Sequence, residues 1–380
     1  MGTNEYDTTV KKEIKDGIVT YFPADDSPIL ETYPELQFRV DGTYNELTDE
    51  RYFAKDYMGT AGLDVFVFEP SDKATFHVQA KLTDEFSKPT EDLEADNKVI
   101  RASYDELTAQ FHLNHQSTTA EKLNLTVYWY AHQMLVHYAS PHGLEQYSGA
   151  AWGTRDVSQG PFEFFLATGN KAVLRKLVLT IFSHQYQDTG DWPQWFMFDK
   201  YTSIQQEESH GDVIVWPLKI IGDYLEMSGD TEILEEAIPY VDRESKTFTK
   251  EQGTLLEHIK LAVKTIEARF MKGTALSNYG DGDWDDTLQP ANAQLKKNMV
   301  SSWTVALTYQ TFKRLAAFLP VGEKYETLAN NVQADFAKYM TNDTDVIPGF
   351  LYLEEGKAPV WMIHPEDKET NIKYRLIPLT

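Results

Sequence analysis

The chain has 380 residues, of which 42% are hydrophobic and 25% charged, a composition typical of a globular protein with a sizeable core. Its formal net charge of -24 would repel a phosphate backbone, so we expect no nucleic-acid partner. Cysteine is absent, which excludes disulfides and thiolate metal sites. No apolar signal-peptide core is present and no apolar run reaches the ~18 residues of a membrane helix. We therefore expect a cytoplasmic protein with no membrane partner.

Residues 1–85 carry a pattern that predicts β-structure. Four short segments are rich in β-branched and aromatic residues, and several of them alternate apolar with polar side chains. These segments are 17–22, 36–40, 63–68 and 74–80. Turn signals rich in Gly, Pro and Asp separate them. The pattern predicts part of an antiparallel β-sandwich, since four strands are few for a complete one.

Residues 86–145 predict a helical linker. Apolar side chains recur there at helical spacing and predict a packing stripe. The stripe consists of Leu123, Val127, Tyr130 and Met134.

The remainder, residues 146–380, predicts about six helices joined by loops, with no strand pattern between them except near the C-terminus. The helices are predicted at 161–168, 170–186, 216–228, 254–270, 300–319 and 323–340. Short connections alternate with long, chemically rich ones, which favours an (α/α)6 toroid. A helical solenoid would fit the periodicity equally well, but the segment has no fixed-length repeat. The predicted fold class is α+β multidomain, with the toroid incomplete.

The segment Gly280–Asp286 combines four Asp with a Trp. Carbohydrate sites use this combination, because an aromatic face stacks on a sugar ring while a carboxyl group handles the glycosidic oxygen. An acidic turn with its Trp packed into the core is the alternative. A calcium loop is excluded, because its sixth position would be Asp286 instead of Gly and its twelfth Asn292 instead of Glu. The ten His show no compact metal spacing, so we predict neither a metal nor a cofactor.

Two other long loops are also aromatic. The first, Tyr147–Asp156, contains Trp152 and the pair Arg155 and Asp156, which can hold sugar hydroxyls through charge-assisted hydrogen bonds. A buried Arg–Asp pair that braces the loop is the alternative.

The second loop, Gln187–Phe198, places two Trp and two Phe within seven residues, Trp195 among them. This cluster predicts either a sugar-stacking platform or a hydrophobic plug between helices. The loop continues to His210 and Asp212, which precede a helix. His210 could contact a hydroxyl group or an anion, or it could be a structural histidine.

Taken together and in this order, the loops resemble the inverting glycoside phosphorylases of the cellobiose phosphorylase type. Trp152–Asp156 resembles that group's aromatic-Gly-x-Arg-Asp segment, and Ser209–Asp212 with Trp216–Leu218 resembles its Ser-Asp-Asp and Trp-Leu-Pro region. Gly282–Asp286 resembles its Gly-Asp-Trp-Asn-Asp motif. The sequence around Gly160 and from Asp191 to Phe198 is more similar to the β-1,3-glucan phosphorylases. Two positions depart from the group: Asp285 replaces Asn, and Gly160 replaces an acidic residue.

The resemblance implies phosphorolysis of a β-linked gluco-oligosaccharide, of the β-1,3-glucan or cellobiose type, to α-glucose 1-phosphate and a shortened sugar. Asp286 would be the general acid, and the neighbouring carboxylates would disfavour its ionised form. Inorganic phosphate, a co-substrate, would attack the anomeric carbon from the opposite face. The predicted substrate-binding residues are Arg155, Asp156, Trp152, Trp284, Asp283, His210, Asp212 and Trp195.

The group's toroid has twelve helices, so the resemblance also implies a fragment of a longer enzyme, inactive by itself, with phosphate-binding residues beyond Thr380. A homodimer is a further expectation, because related enzymes often dimerise. Two alternatives stay open. An inverting hydrolase would need a second carboxylate roughly 6.5–9.5 Å from the first, for which Glu207, Glu208 and Asp212 are candidates. A non-catalytic carbohydrate-binding protein would use Asp286 only as a hydrogen-bond partner.

Overall fold

The computed structural model describes residues 11–23, 35–40, 44, 46–53, 64–81, 92–108, 111–139, 151–198, 201–286, 288, 292–341 and 345–370. Some sequence features lie outside these residues: several turn signals between the predicted strands, the first part of the first loop (147–150), and the last ten residues. The chain divides into two compact units, Met1–Ile100 and Arg101–Thr380. The domain limits proposed from the sequence, near residues 85 and 145, stay predictions.

The first unit contains six short strands. They are β1 Lys11–Lys15, β2 Ile18–Phe22, β3 Glu35–Val40, β4 Glu46–Asp49, β5 Asp64–Val67 and β6 Phe76–Lys81. All four predicted segments form strands. The sequence missed β1 and β4, because β1 is made mostly of exposed Lys and Glu and β4 is only four residues long.

The described strands form two sheets, and the strand pairing in both is antiparallel. One sheet has the order β1-β2-β3-β6, and β4 pairs with β5 in the other. Aromatic rings join the two sheets: the Phe38 and Phe66 centroids lie 4.6 Å apart, and those of Phe68 and Phe76 lie 6.0 Å apart. The rings are only partly buried, and Phe76 is 51% exposed.

Ten α-helices lie in the described part of the chain. They are α1 Leu93–Leu107, α2 Thr118–Ala139, α3 Thr154–Val157, α4 Gly160–Ala167, α5 Lys171–Ser183, α6 Val215–Ser228, α7 Leu255–Ala268, α8 Ala293–Asn298, α9 Ser302–Phe318 and α10 Gly322–Phe336. Short 3-10 helices occupy Glu50–Tyr52 and Thr231–Glu235, and a π-helix occupies Ala337–Thr341. The six predicted helices correspond to α4, α5, α6, α7, α9 and α10. No described helix is long and apolar enough to cross a membrane.

The ends of these helices follow local capping chemistry. Helix α6 ends at Gly229, whose φ of 67° is the left-handed conformation that glycine adopts without steric cost. Helix α7 begins with a capping box, in which Thr254 and Glu257 bond each other's backbone N–H groups. Helix α6 is buried on most of its surface and α9 packs against both α6 and α10, so these helices form the centre of the hydrophobic core.

The face of helix α2 that packs against the core matches the predicted stripe only in part: Met134 packs against the core. The buried positions are Ala120 and Ala131, while Leu123 and Tyr130 of the predicted stripe are 47% and 46% exposed. Half of the predicted stripe is therefore wrong. The sequence pattern overlooked the alanines because their side chains carry little hydrophobic signal, although small residues permit the closest approach of neighbouring helices.

The expectation of no strands between the helices is also wrong. The second unit contains β7 Trp152–Gly153, β8 Trp195–Phe196, β9 Gln205–Gln206, β10 Ala237–Asp242, β11 Thr247–Thr254, β12 Met299–Ser301, β13 Phe350–Tyr352 and β14 Val360–Met362. Strands β10 and β11 form an antiparallel hairpin. The sequence missed the hairpin because β11 is almost entirely polar and exposed. The strands outside the hairpin have only two or three residues, which is too few to show a period of two.

Candidate functional site

A small three-stranded sheet joins the first two loops. Residues Trp152 and Gly153 of β7 pair with Phe196 and Trp195 of β8, and β8 pairs with β9. The next residue, Thr154, adds two hydrogen bonds: its N–H donates to the Gln194 carbonyl at 3.0 Å and its hydroxyl to the Pro193 carbonyl at 2.7 Å. These contacts fix the start of α3, and with it the position of Arg155.

The third loop is attached to the second at Gly211. The Gly211 N–H donates to the Gly282 carbonyl at 2.9 Å, and an antiparallel bridge pairs His210 with Gly280. A Cβ at position 211 would lie 2.3 Å from the carbonyl oxygen of Tyr279. Glycine is required here because only a residue without a side chain allows the two backbones to approach so closely. The three loops singled out from the sequence therefore meet at one place.

Arg155 occupies the meeting point of the loops and is almost fully buried. Its Nη2 donates to Asp286 Oδ1 at 2.9 Å, and its Nη1 donates to the main-chain carbonyl of Asp283 at 2.7 Å. Nη1 also lies 3.4 Å from Asp212 Oδ1. One guanidinium thus connects the second and third loops to the first, which suits the fixed fork of donors that arginine presents.

Burial and neighbouring charges act in opposite directions on the pKa values of Arg155 and Asp212. Burial acts to lower the pKa of Arg155, but the carboxylates of Asp212, Asp156 and Asp286 raise it more, so the guanidinium stays charged. Burial raises the pKa of Asp212 to about 6, although the Arg155 charge and a hydrogen bond of 3.1 Å from Trp216 Nε1 oppose the rise. Asp212 therefore retains a proton closer to neutral pH than an exposed carboxyl group does.

Asp286 is the exposed carboxylate of this cluster, with 67% of its side chain accessible. Besides Arg155, His210 approaches Oδ1 of Asp286, with its Nδ1 at 3.4 Å. The sequence predicts that the other Asp residues of the loop surround Asp286. The structure instead pairs Asp281 with Lys296 and binds Asp283 to Ser301. The Arg155 guanidinium is thus a close charged neighbour of Asp286.

Asp283 turns its side chain into the protein. It is fully buried, Oδ2 accepts a hydrogen bond of 2.6 Å from the Ser301 hydroxyl, and Oδ1 accepts one of 3.1 Å from the Asp285 N–H. Its carbonyl oxygen lies 3.0 Å from His210 Nδ1, within hydrogen-bond distance. The substrate contact assigned to Asp283 from the sequence stays a prediction, and the buried carboxylate favours a structural task.

The predicted aromatic residues divide into core and surface groups. Trp152 is buried against Phe198, with ring centroids 4.9 Å apart, and Trp192 is fully buried with its Nε1 bonded to the Ile181 carbonyl. Trp192 is therefore part of a hydrophobic plug, which is one of the two interpretations that the sequence left open. Trp195 and Trp284 are half-buried at the same end as the loops.

The other acidic candidates are less central. Asp156 is 37% exposed, and its Oδ1 lies 4.0 Å from Arg155 Nε, so the two are not a tight pair. Glu207 forms an ion pair of 2.6 Å with Arg243, and Glu208 is exposed. Asp212, the candidate that contacts Arg155, is fully buried.

Sequence reasoning missed Ser301 and Trp303, which support the third loop. Ser301 is the N-cap of α9, and its hydroxyl accepts from the Thr304 N–H as well as donating to Asp283. The Trp303 ring lies 6.2 Å from that of Trp284 and 5.9 Å from that of Trp216. The Ser-Ser pair before an apolar helix is an N-cap signal that could have located Ser301.

Comparison with known proteins finds similarity to two phosphorylases. It is 97% identical over all 380 residues to the 1,2-beta-oligoglucan phosphorylase of Listeria innocua serovar 6a (strain ATCC BAA-680 / CLIP 11262), and covers 35% of that protein. It is 26% identical over 133 residues to the solabiose phosphorylase of Paenibacillus borealis, covering 35% of this chain and 15% of that one. The chain thus spans about a third or less of the curated relatives it matches.

A solved structure of an unsaturated glucuronyl hydrolase specific for heparin aligns with 61% of this chain and 61% of its own, at 10% identity and a TM-score of 0.40. A likeness this low carries no argument on fold or function. The family model is decisive instead: "Glycosyl hydrolase 94 superfamily, catalytic domain" matches residues 104–352, more than half of the chain and all three loops. The resemblance of the loops to phosphorylase motifs is confirmed, and the chain belongs to the glycosyl hydrolase 94 superfamily.

Proposed function

We propose that the polypeptide containing this chain cleaves β-linked gluco-oligosaccharides by inverting phosphorolysis, releasing α-glucose 1-phosphate and a shortened sugar. The support is the family match together with the near-identical Listeria relative, which is named a 1,2-beta-oligoglucan phosphorylase. We therefore propose a β-1,2 linkage. The β-1,3 and β-1,4 linkages favoured by the motifs are not confirmed, and they serve as comparison substrates in the test below.

The observation that carries this proposal is the exposed Asp286 carboxylate held by a buried Arg155. The 2.9 Å bond leaves the acid accessible from solvent while fixing its Oδ1. The chemistry needs a positioned carboxyl group that can reach a glycosidic oxygen, and a general acid of this kind contributes about 10²–10⁴-fold to the rate.

In the proposed reaction, protonated Asp286 donates its proton to the glycosidic oxygen as the bond from that oxygen to the anomeric carbon breaks. A phosphate oxygen forms the new bond to the anomeric carbon from the opposite face, which inverts a β-linkage to an α-phosphate. The proton ends on the hydroxyl of the departing sugar. Asp286 becomes ionised at this step, and Arg155 is placed to stabilise the resulting carboxylate.

The remaining site residues are proposed to bind substrate or to support the loops. Asp156, His210, Trp195 and Trp284 are partly accessible around the cluster and are proposed to contact the sugar. Trp152, Asp212 and Asp283 are buried, so any contribution from them would pass through the groups they hold in place.

The finer features of the architecture are also proposals. We propose that the helices after residue 146 are part of an (α/α)6 toroid and that the strands of residues 1–85 are part of a β-sandwich. The chain's 35% coverage of the Listeria relative supports a toroid completed by further chain, with phosphate-binding residues there. Inactivity of the isolated 380-residue chain, a homodimer and a cytoplasmic location remain proposals as well.

The test is an assay of α-glucose 1-phosphate with β-1,2-, β-1,3- and β-1,4-linked gluco-oligosaccharides, with and without inorganic phosphate. The protein from the complete reading frame is assayed beside the 380-residue chain. We expect phosphate-dependent product from the longer protein, fastest with the β-1,2 substrates. Free glucose formed without phosphate would establish a hydrolase, and binding without turnover would establish a carbohydrate-binding protein. Turnover by the 380-residue chain would refute its proposed inactivity.

A further inference from the structure

The link between Asp283 and Ser301 connects the third loop to the rigid core. Both side chains are buried, and their hydrogen bond of 2.6 Å is short, as expected when a hydroxyl donates to a carboxylate. Ser301 ends β12, which pairs with β13, and it is also the N-cap of α9, a helix packed against α6 and α10. The Asp283 carboxylate therefore reaches the end of a well-anchored helix through one hydroxyl.

Asp283 is held on its other sides by the groups that surround Asp286. Its main-chain carbonyl oxygen accepts from Arg155 Nη1 at 2.7 Å and lies 3.0 Å from His210 Nδ1. Its Oδ1 accepts from the N–H of Asp285, which closes the turn that precedes Asp286. The same guanidinium then binds Asp286 Oδ1. Any displacement of Asp283 would consequently move both Arg155 and the turn that carries Asp286.

We propose that Asp283 and Ser301 are a positioning pair that holds the Asp286 carboxylate where it can protonate the glycosidic oxygen. This proposal rests on the function proposed above. It assigns to Asp283 a task different from the substrate contact predicted from the sequence, and it gives Ser301 a task beyond capping α9. Neither residue touches the reacting atoms, since both are buried.

A positioning pair and a merely structural pair differ in how the loss depends on the leaving group. A misplaced general acid slows the departure of a sugar, which needs a proton, but not the departure of a stable anion such as dinitrophenolate. A global loss of structure slows both equally. The ratio of the two rates, measured on one enzyme sample, is independent of the fraction of the protein that is folded.

The experiment measures phosphate-dependent turnover of a gluco-oligosaccharide and of dinitrophenyl β-glucoside by the complete protein and by Ser301→Ala. For Ser301→Ala we expect kcat on the oligosaccharide to fall about 10²-fold with little change in KM, because a misplacement of about 1 Å at an active site costs that much. Turnover of the dinitrophenyl glucoside should change less than about threefold. Ser301→Thr keeps the hydroxyl and should restore most of the oligosaccharide rate.

Asp283→Asn provides an independent second variant. It keeps the side-chain size but lacks the charge and one acceptor oxygen. The ratio of its oligosaccharide rate to its dinitrophenyl glucoside rate should therefore also fall, by about tenfold or more. The positioning role would be overturned if both Ser301→Ala and Asp283→Asn slowed the two substrates equally and so left the rate ratio unchanged. That result would leave the proposed function intact as long as the unmodified protein requires phosphate. Failure of the unmodified protein to release α-glucose 1-phosphate would instead refute the proposed function.

Discussion

Replacement of Arg155 by Met tests whether one buried cation holds the loop cluster together. Arg155→Met keeps an unbranched side chain but removes the guanidinium donors that Arg155 presents to Asp212, Asp283 and Asp286. Asp286 is exposed and can be hydrated, but Asp212 is fully buried and loses its cation. Breaking a buried ion pair by removing one partner costs about 3–5 kcal/mol. We expect a destabilisation of that size at pH 8.

Removing the unpaired Asp212 charge as well should restore part of the stability lost in Arg155→Met. Asp212→Asn retains an oxygen that can accept from Trp216 Nε1 but carries no charge to desolvate. The double variant should therefore be destabilised by less than the sum of the two single changes, with a coupling of about 2 kcal/mol or more. This coupling isolates the buried charge from the loss of side-chain packing, which the single and double variants share.

The pH dependence gives a second check on the same argument. Burial already raises the folded-state pKa of Asp212 to about 6, and removal of Arg155 should raise it further. A carboxyl group with a raised folded pKa binds more protons in the native state, so its stability contribution is lost as pH rises through that pKa. The cost of Arg155→Met should thus be smaller at pH 5 than at pH 8, by about 1.4 kcal/mol for each unit of additional rise.

The assay is denaturant unfolding followed by tryptophan fluorescence. All eight Trp lie between positions 129 and 361, so the signal reports on the Arg101–Thr380 unit. Arg175→Met is the matched control, because Arg175 pairs with Asp230 at 3.1 Å and Glu236 at 2.5 Å at a partly exposed position. It should cost about 1 kcal/mol or less. Additivity of Arg155→Met and Asp212→Asn within about 0.5 kcal/mol would refute the reasoning.

Three further predictions concern catalysis, acid stability and loop contact. Asp286→Asn should lower phosphorolysis by about 10²–10⁴-fold while oligosaccharide affinity, measured by calorimetry, stays nearly constant; unchanged turnover would exclude the general-acid role. Burial lowers the pKa of His184 and His258 to about 4, so the stability they provide above pH 6.5 is lost as pH falls toward 4. Each should cost about 2 kcal/mol at pH 5, and the variant with Gln at both positions should show a shallower pH dependence of its denaturation midpoint. Gly211→Ala should destabilise the protein by about 1–3 kcal/mol, because its Cβ would lie 2.3 Å from the Tyr279 carbonyl oxygen, and a shift of the denaturation midpoint within error would contradict this contact.

The sequence was a reliable guide where the signal is local. Helical periodicity and caps predicted α4, α5, α6, α7, α9 and α10, and Gly229 marked the end of α6 correctly. The motifs in the three loops identified the family, which the match over residues 104–352 confirmed. Local patterns suffice for these features because capping, glycine conformation and amphipathic spacing depend on residues within one or two helical turns.

Only the tertiary structure decided which carboxylates face solvent and which are buried. Arg155 meets Asp212 across 57 residues of chain and Asp286 across 131, and the sequence does not encode such distances in any local pattern. The motif resemblance predicts a substrate contact for Asp283 and the general-acid role for Asp286. Only the structure shows that Asp283 is buried against Ser301 and that Asp286 is exposed beside Arg155. The difference arises from packing: α9 offers a hydroxyl at its N-terminus to the first carboxylate and the approach of three loops leaves the second in solvent.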